Sequence, residues 1–260
     1  MKKKLVFIIL LLLLVSKSSP TSSITFIPID NLSKEDNNKI KDDNLKEKNK
    51  ESSSKQPLEE IRPIAKKQTE LNNPLNKLVL VNKKQGLSAE FTPEDLVVPD
   101  IPFAFAEDHP KKQMRAVAAQ ALERLFARAK AEQVELVGVS GYRSFKRQQE
   151  IFSHNARLKG VEAANQYSAK AGHSEHQTGL AMDVSSPTVN YELVEEFGET
   201  KEGRWLSKMA PEYGFIIRYP KGKEEITGYQ YEPWHLRYVG VKHAKRIAYN
   251  QSTLEDYLYG

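Results

Sequence analysis

The chain has 260 residues, no cysteine, 28% charged residues and a net charge of +5, with a pI near 9.1. The missing thiols exclude disulfides, thiolate nucleophiles, cysteine zinc sites and an acylated lipoprotein anchor. Basicity suits work beside an anionic polymer, whether bacterial wall or nucleic acid, but no stretch alternates aromatics with Lys or Arg as a single-strand groove requires.

Lys2, Lys3 and Lys4 precede an apolar run from Leu5 to Val15 that turns polar through Ser16, Lys17 and Ser18. This is the pattern of a secretory signal over residues 1–19, and the run is shorter than the roughly 20 apolar residues of a bilayer span. Export is therefore expected, with membrane attachment only if the leader stays uncleaved. An exported chain argues against nucleic acid as a partner. From Pro20 to Asn73 the composition is rich in Lys, Asn, Asp, Glu and Ser, with few aromatics. Such a segment buries too little apolar surface to offset its ordering entropy, which predicts a disordered linker over 20–73. The folded domain is expected over 74–260, enough chain for one sizeable core.

Within it, Leu78 to Val81 predicts a short apolar strand. Met114, Val117, Ala118, Ala121, Leu122, Leu125, Phe126 and Ala129 recur at three and four and predict an amphipathic helix. Glu135 to Ser140 reads as a buried strand, and Gly141 then places Tyr142, Arg143 and Ser144 on a turn before helical spacing resumes from Phe145 to Leu158. Leu180 to Val184 predicts a strand. Trp205 to Tyr213 reads as a helix closed by Gly214 in the left-handed region, followed by a strand at Phe215 to Ile217. A strand over His235 to Val239 and a helical segment from Val241 to Leu258 complete the chain. Strands and helices mixed without regular alternation give an α+β class, with a small, mainly antiparallel sheet carrying the site.

Ser174 to Asp183 and Glu232 to His235 together supply two imidazoles and three carboxylates. A catalytic zinc takes three protein ligands and leaves a position for water, so His176, Asp183 and His235 would complete the shell and leave Glu232 as the base. His176 and Asp183 are seven apart, which along a continuous helix or strand would separate them by roughly 10 or 23 Å, so the chain must turn between them, most naturally at Gly179. Pro233 biases Glu232 towards an extended conformation, from which Glu232 and His235 can converge at a strand's entrance. His109, His154, His173 and His243 are read as ordinary imidazoles, Glu175 as a solvated carboxylate, and Arg218 and Arg237 as buttresses of the fold.

Three blocks carry a resemblance to a known family: Ser140 to Ser144 (SGYRS), Ser174 to Asp183 (SEHQTGLAMD) and Tyr231 to Gly240 (YEPWHLRYVG). They are similar to the VanY-type zinc D-alanyl-D-alanine carboxypeptidases, whose relatives include VanX dipeptidases and LD-carboxypeptidases, and the resemblance covers Leu78 to about Ala248. It implies one zinc per chain on His176, Asp183 and His235, Glu232 as acid and base, and Arg143 in the substrate site. Ser174 and Gln148 are expected to donate hydrogen bonds to the peptide, with Tyr142 and Trp234 as apolar walls. The expected activity is removal of the terminal D-alanine from peptidoglycan stem peptides by a secreted monomer, with an LD-carboxypeptidase or endopeptidase on the same peptides as the alternative. A non-catalytic wall-binding module is disfavoured, because a pure binder has no use for Glu232.

Overall fold

A computed structural model describes residues 73–260; the expected leader, and all but the last residue of the expected linker, lie outside the described residues. Two short strands, β1 (Leu96–Val97) and β2 (Met114–Arg115), pair antiparallel and lead into helix α1 (Ala116–Ala131). Strand β3 (Val137–Ser140), helices α2 (Phe145–Lys159) and α3 (Val161–Tyr167), and strand β4 (Ala181–Ser185) follow. Helix α4 (Lys201–Met209) runs through a 3-10 turn into β5 (Phe215–Tyr219); α5 (Glu224–Thr227), β6 (Glu232–Tyr238), α6 (Val241–Tyr249) and α7 (Leu254–Tyr259) close the chain. The main sheet has the order β3-β4-β6-β5 and every pairing in it is antiparallel, so the class is α+β.

Strand alternation gives this sheet two unlike faces. Met182 and Val184 of β4, Leu236 of β6 and Phe215 of β5 point into the main core, where α1 lays Ala118, Ala121, Leu122, Leu125 and Phe126 against them. Intervening positions turn Asp183, His235, Arg237 and Arg218 to the other face, all of them buried. Register fixes their order: Asp183 stands directly opposite His235, and Ala181 opposite Arg237. Residues paired this way have Cβ atoms about 4.5–5.5 Å apart, so two site residues 52 positions apart are delivered side by side by backbone pairing alone. Between Ile217 and Tyr219 the β5–β6 register shifts, and this irregularity, opposite the start of β6, turns both Tyr219 and Glu232 to the site.

Several boundaries differ from expectation. Leu78 to Val81 is buried in part but forms no strand. The carbonyls of Lys77 and Val79 accept Arg237 Nη2 instead, at 3.0 and 2.7 Å, so a guanidinium occupies the place of a strand partner. Met114 belongs to β2 rather than to α1. Helix α4 starts at Lys201, where the Thr200 side chain accepts from the Gly203 N–H, and its last expected turn, Ala210–Tyr213, is 3-10. The closing helix is broken: Gln251 takes a φ of 48°, and Thr253 opens α7 with a reciprocal capping box to Asp256.

Candidate metal centre

The first block folds as a 3-10 turn, Glu175–Thr178, ended by Gly179 at a φ of 66°. A side chain at Gly179 would be strained there and would also meet Arg115 and Leu96 at 2.9 Å, so glycine is required for the reversal that separates His176 from β4. The Thr178 hydroxyl accepts from Leu180 N–H at 3.0 Å and donates to Glu175 O at 2.6 Å, which tightens the turn. His176 Nδ1 lies 2.7 Å from the carbonyl of Gly141. A carbonyl only accepts, so Nδ1 carries the proton and the Nε2 lone pair is free.

That lone pair faces Asp183, whose Oδ2 is 3.3 Å from His176 Nε2; the other carboxylate oxygen, Oδ1, is 3.1 Å from His235 Nδ1. The two imidazoles stand edge to face with centroids 4.9 Å apart. Ligand atoms of His176, Asp183 and His235 all lie within 4.8 Å of one another, the sole such group among the described residues. Glu232 Oε2 is 3.5 Å from His235 Nδ1. Asp183 Oδ1 is buried without a hydrogen-bond partner, which marks a place left for a cation. Two imidazoles and one carboxylate match the three protein ligands of a catalytic zinc, with a fourth position free for water.

These side chains perturb one another strongly. Burial would raise the Asp183 carboxyl, but His176 and His235 outweigh it and hold the group well below the ordinary carboxylate range. Burial lowers His176, and nearby Arg143 adds to the effect. Burial also opposes a charged His235, yet the facing carboxylates of Asp183 and Glu175 push it up to about 9. Glu232 is pushed up to about 7, chiefly by burial and then by the charge of Asp183. A carboxyl poised near neutrality beside a candidate metal position is suited to taking and returning protons.

Residues 111–241 match the family model described as VanY, D-alanyl-D-alanine carboxypeptidase. The chain belongs to that family. YodJ of Bacillus subtilis (strain 168) is 54% identical over 187 residues, covering 72% of this chain and 68% of its own. Among solved structures, the LdcB LD-carboxypeptidase is 54% identical with a TM-score of 0.70, over 71% of this chain and 86% of that one. The vancomycin-resistance D,D-pentapeptidase VanY from a VanB-type cassette, in complex with Zn(II), is 32% identical with a TM-score of 0.57, over 70% of this chain and 98% of that one.

The VanY-family site opens into a cavity of about 220 Å³. His176, Asp183, His235, Glu232, Arg143, Gln148, Ser174 and Trp234 all line it. Arg143 sits where β3 passes into α2, a helix capped by the Ser144 hydroxyl. Its Nη1 donates to Gln148 Oε1 at 2.9 Å and its Nη2 to Ser140 Oγ at 3.1 Å, so the guanidinium is held in one plane. Gln148 is thereby engaged with Arg143 and, through Nε2, with the Ala169 carbonyl at 2.6 Å. Tyr142 is turned away: it is buried, its hydroxyl is 3.3 Å from Thr92 Oγ1, and it does not line the cavity.

Glu175 is the clear reversal. Expected in solvent, it is fully buried, with Oε1 accepting Arg218 Nε at 2.7 Å and Arg237 Nη1 at 2.5 Å. Burial alone would raise its carboxyl; the two arginines overcome this and leave it well below the ordinary range. Tyr219 and Tyr229, not foreseen in the site, pack on the cavity wall with ring centroids 4.6 Å apart and planes tilted by 37°, and the Tyr219 ring centroid is 5.0 Å from that of His235. The remaining histidines stand apart: His173 Nδ1 meets Asn82 O at 2.8 Å, His243 Nδ1 meets Tyr257 Oη at 2.7 Å, and His109 caps a 3-10 turn.

Proposed function

We propose that the chain is a zinc-dependent carboxypeptidase that removes the C-terminal D-alanine from peptidoglycan stem peptides, acting outside the cytoplasmic membrane after export. The observation that carries this reading is the convergence of His176, Asp183 and His235 with Glu232 in one cavity lined by Arg143. A zinc ion held by those three side chains would polarise the scissile carbonyl and acidify its water towards a pKa of about 7. Glu232, lifted to about 7 by burial, accepts the proton of the attacking water and returns it to the departing D-alanine amine. Arg143, with its fork pinned by Gln148 and Ser140, keeps N–H donors for the oxygen that gains charge or for the terminal carboxylate. Tyr219, Tyr229 and Trp234 form walls that limit water around the reacting bond.

The bond placed first is the L,D bond of a tetrapeptide stem, because the LD-carboxypeptidase is the more similar of the two solved structures compared. The D,D bond of a pentapeptide, expected from the sequence blocks, is the second reading, supported by the family model. Both release D-alanine and use the same groups. Mass spectrometry of defined tri-, tetra- and pentapeptide stems incubated with the full chain tests this. The expected result is loss of one alanine from the tetrapeptide, abolished by chelator and restored by zinc; stems left intact with zinc present would refute the proposal.

A further inference from the structure

Among the described residues five buried side-chain atoms lack a hydrogen-bond partner, and two of them face each other. Glu175 Oε2 and His235 Nε2 lie 3.6 Å apart, just beyond hydrogen-bond length, on side chains 0% and 4% exposed. Buried orphan atoms are uncommon in folded proteins, and a facing donor and acceptor form a pair that closes with a sub-ångström shift.

The aim of Glu175 is set by its surroundings. Both bonds from Arg218 and Arg237 fall on Oε1, leaving Oε2 to the histidine. Arg218 is fixed from behind by Glu255 of α7, at 2.9 and 2.7 Å, and Arg237 by the carbonyls of Lys77 and Val79. On the far side of the imidazole, Nδ1 faces Asp183 and Glu232. An imidazole that gives Nδ1 to a metal carries its proton on Nε2, and the acceptor in line with that proton is Glu175 Oε2.

We infer that Glu175 is a positioning residue for the metal centre: its Oε2 takes the Nε2–H of His235 and so fixes the tautomer and ring plane that present Nδ1 to the ion. The two ligand histidines are thus held by unlike groups, His176 by the Gly141 carbonyl and His235 by a carboxylate. Because Glu175 and His176 are consecutive on one 3-10 turn, a single turn supplies one ligand and orients the other. The chain Glu255, Arg218, Glu175, His235 also links the last helix to the metal position. This inference rests on the zinc reading above.

The test is zinc affinity, measured by competition with a chromophoric chelator on the full chain, for the parent, Glu175→Gln and Glu255→Gln. Thermal unfolding of each metal-free protein shows that it is folded. Loss of an outer partner of a ligand histidine weakens metal binding by about 10- to 100-fold, and that loss is expected for Glu175→Gln. Glu255→Gln, which disturbs the same arginine without facing His235, is expected to bind zinc as the parent does. Parent-like affinity in Glu175→Gln, or an equal loss in both variants, would overturn the inference. Should Glu175→Gln not fold, nitrogen-resolved NMR of the zinc-loaded parent decides: a protonated, slowly exchanging Nε2 on His235 is expected, and a metal-bound Nε2 overturns it. A parent that binds no zinc defeats the underlying metal reading as well, a result distinct from tight binding in both parent and variant.

Discussion

Glu232→Gln separates proton transfer from metal binding. The amide keeps the size and planarity of the carboxyl in a position where Glu232 is largely buried, paired through its backbone with Tyr219 of β5. A positioned acid–base group contributes about 10²–10⁴ in rate, equivalent to about 2.7–5.4 kcal/mol of transition-state free energy at about 1.36 kcal/mol per tenfold. D-Alanine release from a tetrapeptide stem should fall by that range. Zinc binding should stay close to that of the parent, since the three proposed ligands are untouched. Folding should be nearly unaffected too, because burial already disfavours the charged form of Glu232 and the substitution leaves no new unpaired charge. Single-turnover rates, chelator competition and thermal midpoints measured on one preparation check the three parts together. Release of D-alanine at the parent rate, or parallel loss of metal and activity, would refute the assignment of Glu232 as a base outside the metal shell.

Arg143→Lys keeps a charge but loses the planar fork that Gln148 and Ser140 hold, and should lower kcat/KM by about 10²-fold or more with zinc retained. The division between kcat and KM then reports whether Arg143 meets the developing oxyanion or the terminal carboxylate. Gly141→Ala would bring a Cβ to 2.3 Å from Gln113 O and 2.8 Å from Met182 Cε. Overpacking of this kind costs about 1–3 kcal/mol, and since Gly141 O holds His176 Nδ1, calorimetry should show weaker zinc binding as well as a lower thermal midpoint. Thr253→Ala removes the cap of α7 and should cost about 1 kcal/mol, seen as a fall of about 2–4 °C in Tm for a domain of this size.

The site was legible where chemistry and chain punctuation coincide in sequence. Gly179 marks the reversal, and the alternation Leu180, Met182, Val184 against Ala181, Asp183 assigns Asp183 to the face opposite the core. The cross-strand register that sets Asp183 opposite His235 has no local mark, because pairing is decided by what the whole sheet buries. The burial of Glu175 has no local mark for the same reason. A glutamate in a polar motif looks solvated, and its arginines lie 43 and 62 positions further along the chain. The apolar run at Leu78 to Val81 favours a strand on propensity, yet the carbonyls of Val79 and of Lys77 just before the run accept from an arginine side chain that no periodicity announces. In the closing segment helical spacing continues through Asn250 to Thr253, and only the capping pair Thr253 and Asp256 signals a second start. Tyr142 and Arg143 are neighbours at a strand's end, where successive side chains diverge; one enters the cavity and the other the core beside Thr92.

Zinc-edge anomalous diffraction from crystals of the full chain grown with zinc tests the central claim most directly. The account predicts one anomalous peak within about 2.0–2.2 Å of His176 Nε2, His235 Nδ1 and an Asp183 carboxylate oxygen, with Glu232 beside the ion but not bound to it. A peak at other side chains, or a zinc shell that replaces one of these three ligands with Glu232, would contradict it.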